Sequence, residues 1–73
     1  MDASIRLKLG KKIKGLRQKH AVTQEKLAEV TGIDYKYLQK IEGKNPPNIK
    51  IETLEKLAKA FKILPSKLLD FQK

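Results

Sequence analysis

Apolar residues recur at helical spacing through most of this 73-residue chain. Near its start they lie three or four residues apart, at Ile5, Leu9, Ile13 and Leu16. This spacing places them on one face of a helix and leaves the intervening residues, many of them lysine, on the other faces. We therefore expect an amphipathic helix that begins near residue 5 and stops near residues 19–21, preceded by a flexible end over residues 1–4.

Two shorter helices, at about 23–30 and 34–42, are predicted around a tight turn. Thr23 and Asp34 each stand at the start of one of these segments, where an oxygen-bearing side chain caps free backbone N–H groups. Gly32 lies between the segments, and glycine adopts at low cost the positive φ that a sharp turn after a helix requires.

The spacing within this pair is that of a helix-turn-helix. Counted from Gln24, the marker residues follow four, eight, fourteen and seventeen positions on, at Ala28, Gly32, Leu38 and Ile41. A small side chain at Ala28 lets the helices cross closely, while Leu38 and Ile41 hold the second helix onto the first. In such a unit the second helix enters the major groove of DNA.

Two further helices are predicted in the last third of the chain. Glycine, asparagine and proline indicate a loop over residues 43–48. The helix at about 51–61 has one apolar face, made by Ile51, Leu54, Leu57, Ala58 and Phe61. Pro65 suits the first turn of a fifth helix at about 65–71. The expected fold is all-α, with five helices in a single domain over residues 5–73.

Within the composition, the net charge restricts the possible classes of function most. Seventeen Lys and Arg residues against eight acids give a formal charge of +9 and a sequence pI of about 9.9. A small domain this basic either binds a polyanion or uses its charge to stay soluble. The helix-turn-helix spacing favours nucleic acid.

Other residue types exclude several classes of function. There is no cysteine and one histidine, His20, so no set of metal ligands or of nucleophile and base can be drawn. We expect neither a cofactor, a small-molecule ligand nor enzymatic activity. The sequence also lacks an apolar run long enough for a membrane span and a signal peptide, and we expect a cytoplasmic protein with no membrane partner.

Side chains suited to base recognition lie on the outward face of the helix at 34–42. With Leu38 and Ile41 turned inward, a helical wheel turns Lys36, Gln39 and Lys40 outward and leaves Tyr35 at the border of this face. The predicted base contacts are Tyr35, Lys36, Gln39 and Lys40. Lysine donates to guanine, glutamine pairs with adenine, and a tyrosine ring edge contacts a thymine methyl group. Tyr37 lies at the border, where packing against the turn, a phosphate contact and a base contact all stay open. The alternative is an ordinary exposed helix face.

A second set of residues is predicted to contact DNA phosphates. Gln24 begins the helix at 23–30, where its amide reaches a phosphate that also feels the helix dipole. Lys44 and Asn45 follow the helix at 34–42, where the chain passes the DNA backbone. The full predicted set is Arg17, Thr23, Gln24, Tyr37, Lys44 and Asn45. Alternatively, Gln24 serves only as a helix former and Asn45 only shapes its loop.

Several segments, taken in order, resemble the phage repressor and Cro (XRE-like) helix-turn-helix family. They are residues 9–13, 16–17, 24–28, 32–33, 41–43 and 51–54. The resemblance covers about residues 5–71, and the short single-domain form with Tyr37 in its second helix looks most like controller proteins of restriction–modification systems. It implies a five-helix, repressor-type DNA-binding domain.

The resemblance also implies roles for particular residues. The family's base-reading positions fall on Tyr35, Lys36 and Lys40, and its phosphate-binding glutamine on Gln24. Arg17 and Glu42 are expected to pair, which would tie the first helix to the end of the third and aim the arginine at a phosphate. The alternative is two separately solvated charges.

This chain departs from the family at two helix ends. The family usually has glycine at the position of Ala21 and more often serine at the position of Lys50. Without that glycine, we expect His20 to adopt the left-handed conformation, which histidine tolerates better than most residues. Lys50 is expected to leave its helix without a side-chain cap.

A homodimer on a palindromic double-stranded DNA site is expected, because one small domain reads only a few base pairs. The predicted dimer interface is the C-terminal helix, through Leu68, Leu69 and Phe71, unless these side chains only complete the monomer core. An alternative function is an antitoxin-type module that binds a partner protein as well as DNA. A third possible function, that of a basic amphipathic peptide that binds membranes, leaves the glycine turn unexplained.

Overall fold

A computed structural model describes residues 4–71, and within them all regular structure is helical. The helices are α1 (Ile5–Lys19), α2 (Gln24–Thr31), α3 (Tyr35–Ile41), α4 (Ile51–Ala60) and α5 (Pro65–Leu68). The predicted all-α fold with five helices is confirmed, although α5 ends three residues earlier than expected. No helix in this part of the chain is long and apolar enough to cross a membrane.

The first three helices begin at side-chain caps. The hydroxyl oxygen of Ser4 accepts from the Leu7 N–H, and Thr23 and Asp34 cap α2 and α3 in the same way. Lys50 provides no side-chain cap to α4, as predicted. Of the flexible end predicted over residues 1–4, residues 1–3 lie outside the described residues, whereas Ser4 is fixed as a cap.

The turn after α1 is made by Ala21, which has a φ of 56°. The prediction that His20 takes the left-handed conformation was wrong, because His20 is the C-cap residue of α1 and has a negative φ of −89°. The N–H of Val22 then donates to the carbonyl of Arg17 at 2.9 Å, which closes the helix end as in a Schellman motif. Lys62, with a φ of 58°, ends α4 in the same manner. Two helices thus end at non-glycine residues in a conformation that glycine adopts most easily.

The core lies between the inward faces of all five helices. Its fully buried side chains are Ile13, Leu38, Ile41, Leu57 and Leu68. Two residues that the periodicity placed on apolar faces are instead exposed, namely Ile5 and Ile51. Helical periodicity assigns a residue to a face, but these two are the first residues of α1 and α4, where the rest of the domain leaves them more than half exposed.

Gly10 is the point where α1 comes closest to α3. It is buried, and a Cβ atom built on it would collide with the carbonyl oxygen of Ile41. Only glycine therefore allows this contact, which brings the middle of α1 against the end of the helix predicted to read DNA.

Candidate nucleic-acid interface

The turn between α2 and α3 is fixed by two residues. Gly32 has a φ of 76°, and its N–H donates to the carbonyl of Ala28 at 2.9 Å. The Thr31 hydroxyl donates to the carbonyl of Leu27 at 2.7 Å and accepts from the N–H of Ile33 at 3.2 Å. Because both sides of the turn are hydrogen-bonded, α3 is held in one orientation on α2, as a helix-turn-helix requires.

The outward face of α3 carries the four predicted base-contacting residues. Tyr35, Lys36, Gln39 and Lys40 are all exposed. Leu38 and Ile41, on the inward face, are fully buried and anchor the helix to the core. The face therefore presents two cationic donors, one amide and one phenol to solvent on a helix whose orientation is fixed, which is the chemistry that the major-groove edges of bases accept.

Tyr37 is half-buried and makes an internal hydrogen bond. Its hydroxyl donates to the carbonyl oxygen of Asn48 at 3.1 Å. This bond joins α3 to the loop that precedes α4. Of the three roles left open for Tyr37, an internal contact is present in the structure, although with this loop and not with the turn. A phosphate contact would have to replace the bond to Asn48.

Arg17 and Glu42 form the ion pair that the resemblance implied. Nε and Nη2 of Arg17 each donate to one carboxylate oxygen of Glu42 at 2.9 Å, and Nη1 donates to the carbonyl of Val22 at 3.0 Å. The side chains are 13% and 3% exposed, so the pair is largely removed from water. The hydrogen bonds to Glu42 raise the pKa of Arg17 above its already alkaline ordinary value, so the guanidinium stays charged.

Gln24 is a third member of this network, which sequence reasoning missed. Its amide Nε2 donates to Oε1 of Glu42 at 3.0 Å. The carboxylate of Glu42 thus receives donors from α1 and α2 at the C-terminal end of α3. The spacing of Gln24 and Glu42 along the chain, eighteen residues, carries no local signal for the contact. One amide hydrogen of Gln24 remains for a phosphate.

The remaining predicted phosphate contacts lie at the surface. Thr23 is exposed, and its hydroxyl oxygen accepts from the N–H of Lys26 at 3.0 Å, which leaves the hydroxyl proton for a second acceptor. Lys44 and Asn45 are exposed beyond α3 and share a surface depression with Arg6. Between Ser4 and Phe71 no group of three or more His, Cys, Asp or Glu side chains could hold a metal ion.

The predicted dimer residues do not form one exposed surface. Leu68 is fully buried, because α5 turns its side chain into the monomer core, so the prediction that Leu68 contacts a partner needs correction. Phe71 follows the end of α5 and is half-buried against the same core. Leu69, which is 42% exposed, is the only one of the three that offers a free apolar side chain.

A larger apolar surface lies where α1, α4 and the C-terminal segment meet. Leu69 lines it together with Ile5 and Ile51, which are 61% and 75% exposed. These side chains surround a shallow depression of about 370 Å³ whose floor includes Leu9 and Leu54. Sequence reasoning missed this surface because it placed Ile5 and Ile51 on the apolar faces of two separate helices. We refer to Ile5, Ile51 and Leu69 as the apolar patch.

Comparisons with known proteins agree with this geometry. Residues 10–71 match the family described as helix-turn-helix domain. The control protein C.BamHI of Bacillus amyloliquefaciens is 36% identical over 72 residues, which are 97% of this chain and 88% of that protein. The structure of the restriction–modification controller protein C.AhdI of Aeromonas hydrophila is 32% identical, with a TM-score of 0.80 over 86% of this chain and 94% of that one. The clp gene regulator ClgR of Corynebacterium glutamicum shares the fold, with a TM-score of 0.86 at 23% identity over 94% of this chain and 72% of that one.

Proposed function

This chain belongs to the helix-turn-helix domain family and is a DNA-binding transcriptional regulator, and we propose that it binds palindromic double-stranded operators as a homodimer, with α3 in the major groove. The observation that carries the proposal is the exposed polar face of α3 on a turn whose geometry is fixed by internal hydrogen bonds. We further propose that it acts in the cytoplasm, where an operator is accessible, and without catalytic activity or cofactor.

Base recognition is assigned to the exposed face of α3. We assign Lys36 and Lys40 to guanine O6 and N7, Gln39 to adenine, and Tyr35 to a thymine methyl group. Their neighbours Leu38 and Ile41 are fully buried, so the helix cannot rotate without exposing apolar side chains. The four side chains therefore approach the groove in one register.

Phosphate contacts are assigned to residues on both sides of α3. On one side, Thr23 and Gln24 begin α2, where free N–H groups and the helix dipole attract an anion. On the other side, Lys44 and Asn45 lie in the exposed loop beyond α3. Arg17 contributes through those guanidinium N–H groups that are not used by Glu42 and Val22. For Tyr37 we favour the internal bond to Asn48 over a phosphate contact.

The dimer is assigned to the apolar patch instead of the predicted set Leu68, Leu69 and Phe71. Large apolar side chains clustered at a surface usually mark a contact site, and Ile51 is the most exposed large apolar residue among those described. A second copy that covers Ile5, Ile51 and Leu69 would bury them around a two-fold axis. The two recognition helices would then match half-sites about one DNA turn, roughly 34 Å, apart.

Selection from random duplex DNA tests this function. Duplexes that remain bound to the protein are recovered and sequenced over several rounds, with Lys36→Ala taken through the same selection. We expect an enriched motif with two inverted half-sites, and a loss of preference at one or two positions per half-site for the variant. Enrichment of no motif would contradict sequence-specific binding, and enrichment of single half-sites only would contradict the dimer.

A further inference from the structure

The positive charge of this chain is concentrated on α1. That helix contains seven Lys and Arg residues and no acid, whereas residues 20–71 contain nine cations and seven acids, a net charge of only +2. A surface that is charged for solubility mixes both signs, while a concentration of one sign produces a directed field. The distribution of charge in this chain is of the second kind.

Four of these cations lie together on the outer side of α1. They are Lys8, Lys11, Lys12 and Lys19, which we call the lysine stripe, and at 3.6 residues per turn they occupy about 100° of the helix circumference. Arg17, about 140° around the helix from Lys12, faces Glu42 at the end of α3. Lys12 Nζ instead donates to the carbonyl oxygen of Asp70 at 3.0 Å. The stripe therefore faces the C-terminal segment and solvent, away from α3.

The recognition helix carries little of this charge. Lys36 and Lys40 are its cations, and the acids Asp34 and Glu42 stand at its two ends. Attraction of cations to phosphates supplies most of the sequence-independent affinity for DNA. Thus α1, which does not read the groove, carries more cations than α3, although one of them, Arg17, is paired with Glu42.

We propose that the lysine stripe is a second DNA-binding surface, which holds the phosphate backbone of another duplex while α3 reads the operator. The proposal rests on the proposed function for the identity of the first duplex. Lys8 and Lys19 are eleven residues apart, or about 16 Å along the helix. Because a duplex rises roughly 3.4 Å along its axis per base pair, the stripe is about as long as five base pairs.

A duplex fits this surface better than a lipid bilayer does. A basic amphipathic helix binds a bilayer through its apolar face. In α1 that face is occupied, because Ile13 is fully buried and Leu9 nearly so in the domain core, and the exposed Ile5 belongs to the proposed dimer surface. What remains accessible is a polar row of ammonium groups, which suits a phosphate backbone and carries no sequence code. A dimer with two such stripes would bring two DNA segments together.

Fluorescence energy transfer between two labelled duplexes tests the proposal. One duplex carries the selected operator and is only long enough for both half-sites; the other lacks operator sequence. The variant Lys8→Gln, Lys11→Gln, Lys19→Gln is compared with Lys56→Gln, Lys59→Gln, Lys67→Gln, which has the same net charge but leaves α1 intact. Circular dichroism checks that both variants keep their helices.

We expect the wild-type dimer on its operator to recruit the second duplex at low salt, and the control variant to do the same. The α1 variant should recruit it at least tenfold more weakly, and the slope of log K against log salt should become less steep by about 0.9 for each phosphate that is no longer neutralised. Its affinity for the short operator should change much less. If no operator can be selected, but duplex DNA still binds the wild type and the control variant at least tenfold more tightly than the α1 variant, the proposed function alone fails.

Several outcomes would overturn the second surface. Absence of energy transfer for the wild type would show that no second duplex is bound. Equal losses in the two variants would show that binding depends on net charge and not on the lysine stripe. A stripe-dependent gain in affinity on lengthening the operator, without recruitment, would place the stripe on flanking DNA of the same duplex. Recruitment of single-stranded RNA but not of duplex DNA would assign it a different partner.

Discussion

The guanidinium of Arg17 and the carboxylate of Glu42 meet through two parallel hydrogen bonds of 2.9 Å, twenty-five residues apart in the chain. This bidentate pair joins α1 to the end of α3, and Gln24 adds the start of α2 to the same carboxylate. Three helices are thus joined at one point beside the proposed DNA surface. The position of the recognition helix depends on this point as well as on the hydrophobic core.

Arg17→Ala should lower both the stability of the fold and the affinity for DNA. Removing the arginine leaves the nearly buried carboxylate of Glu42 without its main partner, and breaking such a pair costs about 3–5 kcal/mol. Urea denaturation followed by circular dichroism measures the loss of stability, and fluorescence anisotropy with operator DNA measures affinity. Unchanged stability with reduced affinity would show that the pair contributes nothing to folding.

Gln24→Ala and Lys36→Ala should weaken DNA binding in different ways. The first should lower affinity for all sequences by a similar factor, because a phosphate carries no sequence information. The second should cost about 1–3 kcal/mol at the favoured base and relax preference there. Affinities measured on a panel of single-base operator variants separate the two patterns. Identical profiles for both mutants would contradict the assigned roles.

Gly10→Ala and Gly15→Ala should have opposite effects, although both lie within α1. A Cβ atom at Gly10 would collide with the carbonyl of Ile41, and overpacking of this kind typically costs about 1–3 kcal/mol. At Gly15 nothing lies within 4 Å of the added atom, so the higher helix propensity of alanine should stabilise by about 1 kcal/mol. Thermal unfolding should show a lower Tm for the first and a higher Tm for the second. A shift of the same sign in both would contradict the close approach of α1 to α3.

Ile51→Glu should shift the protein from dimer to monomer while its helices stay formed. A carboxylate at the centre of the apolar patch would be buried without a partner in a dimer but remain solvated in a monomer. Val30→Glu is the matched control, because Val30 is 59% exposed on a different surface. Analytical ultracentrifugation at tens of micromolar, without DNA, reports the association state. A wild-type protein that is monomeric there, or equal dissociation in the two variants, would contradict this interface.

The helix boundaries could be predicted from the sequence because their signals are local. Thr23, Gly32 and Asp34 each act on backbone groups a few residues away, and each does so in the structure. Contacts between distant segments had no such signal. The Arg17–Glu42 pair was expected only from the family resemblance, and its third member, Gln24, was not expected at all.

The errors about burial share one physical cause. Periodicity placed Ile5 and Ile51 on apolar helix faces, but burial depends on how the other elements pack around those positions, and both side chains stay more than half exposed. Similarly, Leu68 and Leu69 are adjacent in sequence, yet the short α5 buries one and exposes the other. The location of the proposed dimer surface therefore depends on how the helices pack and could not be predicted from the sequence pattern alone.

The hydrogen bond from Tyr37 to the carbonyl of Asn48 has a thermodynamic consequence. Tyr37 stands on the recognition helix, while Asn48 borders the depression surrounded by the apolar patch. Coupling through this bond between DNA binding at α3 and association at the apolar patch is reciprocal, so each event favours the other by the same free energy. An operator that fixes α3 would therefore tighten the association of two protomers by the same factor by which association improves operator binding. Occupancy of the operator would then rise more steeply with protein concentration than the occupancy of a single independent site does.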